Sequence, residues 1–128
     1  MPHFTLEYSA NLDGVVDMTE LCREVLKTAL ASGVFETGAV RVRAIRCDAY
    51  AIADGKPENS FVDVSLRMAV GRDLAVRKRL GDQVFEAMTQ FLALRFPAQH
   101  FALSFEIREI DPQLSWKKNS IHERLRKA

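Results

Sequence analysis

The sequence predicts an α+β fold, a four-stranded mixed sheet with two helices on one face, in the order β-α-β-β-α-β. Three observations predict it. Four segments alternate apolar and polar residues with period two, the mark of a strand with two different faces. Two longer segments repeat apolar residues at three- and four-residue spacing, the mark of a helix with one buried stripe. Each helical segment lies between two strand segments, so the chain reads as two β-α-β halves, about 2–54 and 60–110, followed by a tail, 111–128. A chain of 128 residues is a single domain by length and buries enough surface to fold without disulfides or metals.

The elements follow in order. Phe4, Leu6 and Tyr8 alternate with Thr5 and Glu7 in the first strand. Asp17 caps the first helix with Glu20 three residues on, Gly33 follows its end, and Met18, Leu21, Cys22, Val25 and Ala29 form its stripe. A second strand is predicted from about Val40 to Ile52. Its apolar residues change phase, from Val40, Val42 and Ala44 to Ile45, Cys47 and Ala49, which predicts a β-bulge near Ala44–Ile45. Asp54 to Ser60 is a loop by composition. Val62, Val64, Leu66 and Met68 mark the third strand, broken by Gly71. Asp73 caps a long helix with Leu80, Val84, Met88 and Phe91 on one side, and Pro97 is expected to end it. Phe101, Leu103, Phe105 and Ile107 form the fourth strand. Right-handed crossovers then make each half a parallel strand pair under one helix. The other sheet face, carrying Arg43, Asp63, Ser65, Ser104 and Glu106, stays open to water or a partner. The tail holds Leu114, Trp116, Ile121 and Leu125, which need a docking surface such as a neighbouring subunit.

Composition excludes several classes. Hydrophobic residues make up 48% and charged residues 27%, an ordinary globular mixture with a net charge of +1, so no global field favours nucleic acid or an anionic membrane. Cys22 and Cys47 are far apart and lack metal-ligand or redox spacing, as expected of free thiols in a reducing compartment. His3, His100 and His122 have no ligand-like spacing either, so no metal is expected. Neither a signal peptide nor a membrane-spanning run is recognisable, and a cytoplasmic location is expected. Lys117, Lys118, Arg124, Arg126 and Lys127 read as a solvated helix face, and Asp48 and Asp54 as a strand edge and a turn.

One short stretch, Met-Pro-His-Phe, admits two readings. Proline is tolerated as the first residue of a strand, where its missing N–H costs little. Once Met1 is removed, however, Pro2 carries a secondary amine. Pro2 and His3 then point to opposite faces of the strand.

With that proline, the chain resembles the tautomerase superfamily, and within it the 5-carboxymethyl-2-hydroxymuconate isomerase family. The resemblance is carried by MPHF at the start, TGAVRVR with Arg41 and Arg43, ADG at Ala53–Gly55, GRDL with Gly71 and Arg72, and ALSFEI at Ala102–Ile107. Together these pieces span most of the chain. The small tautomerases typified by 4-oxalocrotonate tautomerase carry an arginine in the first turn, where this sequence has Asn11, Leu12 and Asp13. Substrate anchoring would therefore fall to Arg41 and Arg72, with Arg43 structural.

The resemblance implies a cofactor-free, homotrimeric isomerase that acts on a small multi-carboxylate substrate in homoprotocatechuate breakdown. It makes the Pro2 amine the acid/base of a keto–enol proton shift. Such a group works best with a pKa near the operating pH, and burial beside arginines would lower that of the amine. Arg41 and Arg72 would bind carboxylates, each offering a planar fork of donors, and would converge near Pro2, across a subunit boundary if need be. The alternatives are a related tautomerase acting on another unsaturated 2-hydroxy or keto acid, and a non-enzymatic ferredoxin-like module that binds a ligand or assembles through its open face.

Overall fold

Each run of period-two alternation becomes a strand: β1 (His3–Ser9), β2 (Arg41–Cys47), β3 (Ser60–Ala69) and β4 (Phe101–Ile110). The helical stripes become α1 (Met18–Ala31) and α2 (Leu74–Phe91). A further short helix, α3 (Ser120–Lys127), lies in the tail beyond the expected plan. This computed structural model describes residues 1–127, so Ala128, the last residue of the expected tail, lies outside the described residues.

The sheet order is β2-β1-β3-β4. β1 pairs in parallel with β2, β3 in parallel with β4, and β1 antiparallel with β3. Each half is therefore a parallel pair joined by a helix, and the two halves meet back to back at β1 and β3. Helices α1 and α2 lie side by side on one face. Phe4, Leu6, Val62, Val64, Leu66 and Met68 from the strands meet Leu21, Val25, Leu80, Val84 and Met88 from the helices, all fully buried. Burying a side chain of this kind is worth about 1.5–3 kcal/mol, so this one interface supplies most of what holds the layers together.

The caps are those the sequence signals. Asp17 Oδ1 accepts from Glu20 N at 3.1 Å, and Asp73 Oδ1 accepts from Val76 N at 2.9 Å. Such a cap satisfies one of the donors orphaned at a helix start. Gly71 takes φ +114° in the turn between β3 and α2, a left-handed conformation that glycine adopts without steric cost.

Four sequence expectations need correction. β2 pairs one-to-one with β1 from His3–Arg41 to Ser9–Cys47, so there is no bulge at Ala44–Ile45, and the strand stops at Cys47, short of Ile52. The phase change has another cause. β2 is an edge strand with apolar residues on both faces: Val42 and Ala44 pack against the core, while Ile45, on the other face, is 47% exposed. The stripe of α2 ends at Met88; Phe91 is 39% exposed, and Leu92 just past the helix is buried instead. The helix also stops before Pro97, with a single 3-10 turn at Ala93–Arg95 between them.

Asn11, one of the three residues of the first turn that stand in place of an arginine in the sequence reading, has a structural task. Its side chain accepts from Ser9 Oγ at 2.7 Å and donates to the carbonyl of Asn59 at 2.7 Å. Asn59 is buried and donates in turn to Ile52 O and Asp54 Oδ1. This relay pins the loop between β2 and β3 against the end of the sheet remote from Pro2.

Candidate active site

Strand alternation decides what surrounds the N-terminus. Pro2 is buried, on the helix-covered side of the sheet with Phe4 and Leu6. Its carbonyl accepts from the Arg41 backbone N–H at 3.2 Å, which ties the head of β1 to the first residue of β2. His3 and Arg41 are register partners and lie on the open side.

Pro2 and Arg72 line one cleft of about 450 Å³, together with Phe35, Glu36, Asn119 and His122. Arg72 is set by the α1–β2 connection: its Nη2 donates to Val34 O at 2.7 Å, and its guanidinium carbon lies 5.5 Å from the centre of the Phe35 ring. A cation over an aromatic face gains electrostatic attraction, and the contact fixes the plane of the fork. Its remaining N–H groups have no protein partner among the described residues, which leaves donors for an anion.

Arg41 lines a neighbouring hollow of about 540 Å³ with His3, Arg67 and Trp116. Its Nη1 donates weakly to Ala39 O at 3.4 Å and to the Met1 sulfur at 3.5 Å. Arg43, on the same strand face, lies with Nη1 3.5 Å from His3 Nδ1. The two proposed anchors thus lie on either side of the N-terminus, and Met1 and Lys117 line both hollows.

The charges that act on the N-terminus are cationic. Burial lowers the pKa of the Met1 amine below the usual value, and Lys117, Arg41, Arg72 and Arg67 lower it further. Burial likewise pushes His3 down to about 4, with Arg67, Arg43 and Arg41 adding to the effect. An amine held in such a field sheds its proton more readily than in water. The described residues contain no group of three or more His, Cys, Asp and Glu side chains placed to hold a metal ion.

Sequence reasoning missed the tail. Asn119 Nδ2 donates to Gly38 O at 2.8 Å, and its Oδ1 accepts from the backbone N–H groups of Ile121 and His122, capping α3. His122 packs against Gly38. Arg126 forms two hydrogen bonds to Glu36, at 2.8 and 2.7 Å. These contacts lay the tail along the cleft. The available signal was Asn119 directly before a helical run, an N-cap residue hidden among lysines and arginines that read as solvated.

A mixed four-stranded sheet of two β-α-β halves, with a buried proline at the head of the first strand, defines a protein of the tautomerase fold class. A fused 4-OT protein solved as a symmetric trimer has this fold, with a TM-score of 0.64 at 12% identity over 91% of this chain and 93% of that one. Closer likeness lies within one family. The model of the 5-carboxymethyl-2-hydroxymuconate isomerase family matches residues 2–125, and the chain belongs to that family. The 5-carboxymethyl-2-hydroxymuconate Delta-isomerase of Escherichia coli is 34% identical over 95% of this chain and 97% of its own length. The crystal structure of a 5-carboxymethyl-2-hydroxymuconate isomerase from Deinococcus radiodurans R1 superposes with a TM-score of 0.91 at 38% identity, covering 97% of this chain and 93% of that one. The protein is an isomerase, and the non-enzymatic alternative falls away.

Proposed function

We propose that this isomerase ketonises 5-carboxymethyl-2-hydroxymuconate in homoprotocatechuate breakdown, as a cytoplasmic homotrimer without metal or organic cofactor. The observation that carries the reading is Pro2 itself, buried at the head of β1 in the cleft that Arg72 also lines, in a chain of a family named for this compound. The trimer draws support from the symmetric trimer with the same fold.

The chemistry is a proton shift. The enol hydroxyl of the substrate loses its proton, electron density moves along the conjugated chain, and a carbon of that chain gains a proton, leaving a ketone. The neutral Pro2 amine accepts a proton and the resulting ammonium returns one, so atoms and charge balance over the cycle. This requires loss of Met1, because a peptide bond makes the proline nitrogen a tertiary amide with no useful basicity. A free secondary amine is too basic to be neutral at pH 7, and each unit of pKa depression recovers about 1.4 kcal/mol of that handicap. The cationic surroundings described for the chain terminus act in the required direction. Arg72, and Arg41 from the neighbouring hollow, bind carboxylates and stabilise negative charge developing at the 2-oxygen.

An ultraviolet assay of ketonisation tests this, using protein whose mass confirms loss of Met1 beside a form that retains it. Turnover by the first and a loss of at least about a hundredfold in the second is the expected result, in line with the contribution of a positioned acid/base. Absence of turnover with the free amine confirmed would reject this substrate. A panel of unsaturated 2-hydroxy and keto acids would then identify the one used.

A further inference from the structure

The tail brings a cation to the point where the two hollows meet. Lys117 lines both the Pro2–Arg72 cleft and the Arg41–Arg67 hollow, whereas Lys118 lines only the second. The position of Lys117 is not that of a free tail. Two residues on, Asn119 is bonded to the Gly38 carbonyl, and further along Arg126 is bonded to Glu36, so the segment carrying Lys117 is held over the N-terminus from one side.

Met1 shows what the space between the hollows accepts. Its sulfur, a weak acceptor, lies 3.5 Å from Arg41 Nη1 and 3.8 Å from Asn119 Nδ2. Two donors from opposite ends of the chain thus address one acceptor position, and Lys117 lines the same space. With Met1 removed, those donors are free for a stronger acceptor. A carboxylate oxygen matches a guanidinium, an amide and an ammonium far better than a thioether does.

We propose that Lys117 is a substrate-binding residue of this site, holding with Arg41 and the Asn119 amide a carboxylate that Arg72 does not reach. The proposal rests on the function proposed above and adds which carboxylate Lys117 takes: that of the carboxymethyl arm. The name 5-carboxymethyl-2-hydroxymuconate itself describes a tricarboxylate, the two carboxylates of the muconate and that of the carboxymethyl arm. Arg72 holds one carboxylate on the cleft side of the N-terminus, and Arg41, the Asn119 amide and Lys117 together hold the one on the carboxymethyl arm. The same charge adds to the field that lowers the pKa of the chain-terminal amine, where Lys117 is the largest charged contributor.

The test compares Met1-free wild type, Lys117→Ala, Lys117→Arg and the charge-matched control Lys27→Ala, on an exposed position of α1. Each is assayed with 5-carboxymethyl-2-hydroxymuconate and with 2-hydroxymuconate, which lacks the third carboxylate. Lys117→Ala is expected to lower kcat/KM for the tricarboxylate by roughly 10- to 100-fold, the range for a lost charged hydrogen bond, chiefly through KM. The dicarboxylate loses less than about threefold, Lys117→Arg recovers most of the activity, and Lys27→Ala matches wild type. Equal losses on both substrates, or no loss on either, overturn the proposal. If wild type turns over neither compound, the functional reading fails on its own, and calorimetry with the unreactive tricarboxylate trans-aconitate judges the site. Binding weakened by Lys117→Ala then upholds the proposal; equal affinity or no binding overturns it.

Discussion

Pro2 and His3 are neighbours in the chain and opposites in environment. Strand geometry alone separates them, since successive side chains of β1 face opposite sides of the sheet. Pro2 lies under the helices, and His3 shares the open side with Arg41, Arg43 and Arg67. A consequence follows for pH. The pKa of His3 is lowered to about 4 in the fold, against an ordinary 6.5, so the folded state binds fewer protons than the unfolded chain between those values. Stability attributable to His3 is complete above pH 6.5 and declines as pH falls toward 4. An NMR titration of the imidazole should show a midpoint near 4, and His3→Gln should flatten the stability–pH slope in that window. A midpoint near 6.5 would show that neither burial nor the arginines act on this ring. At the same scale, the roles proposed for Pro2, Arg41 and Arg72 come from the sequence, because each belongs to a short piece of the family resemblance. The role proposed for Lys117 does not, because a lysine in a basic tail carries no local sign of what it faces.

Among the elements, the tail helix is the least predictable and the most consequential for the site. Its stripe is too short to specify a face, and its docking depends on a glycine 81 residues away along the chain from Asn119. A Cβ on Gly38 would lie 2.9 Å from His122 Nδ1 and 3.1 Å from the backbone N and Cα of His122. Backbone cannot yield as a flexible side chain can, so Gly38→Ala must push α3 away. Overpacking of this kind costs roughly 1–3 kcal/mol, a rise in local opening of about five- to 150-fold. Limited proteolysis should cleave the tail of Gly38→Ala about ten times faster, with little change in the unfolding of the central sheet. Unchanged protection would mean that α3 is held elsewhere. The failed bulge in β2 belongs to this scale too. An alternation pattern reports which residues are apolar, and an edge strand with an apolar outer face breaks the link between apolar and inward.

At the scale of the whole molecule, the chain displays apolar surface that it does not itself cover. Trp116 is 84% exposed and Leu114 71%, both in the segment between β4 and α3, beside an open sheet face. Large exposed aromatics in a structured segment mark contact surfaces more often than solvent-facing ones. For the homotrimer proposed above, sedimentation equilibrium at micromolar concentration is expected to give three times the chain mass of 14.5 kDa. Trp116→Ser should shift the distribution toward smaller species. A monomer at these concentrations would reject the trimer and leave the two hollows as single-subunit sites.

The sequence by itself determined the two β-α-β halves, the helix caps and the core stripes, because period, capping chemistry and turn glycines are local properties. It also carried, through short motifs, the proline and the two arginines. Tertiary structure alone decided that Arg72 shares the cleft of Pro2 while Arg41 opens onto the next hollow, and that the C-terminal tail returns to the N-terminus. Those outcomes depend on strand register and on a glycine's close approach to a helix backbone, and both link residues too distant in sequence for any local pattern to record.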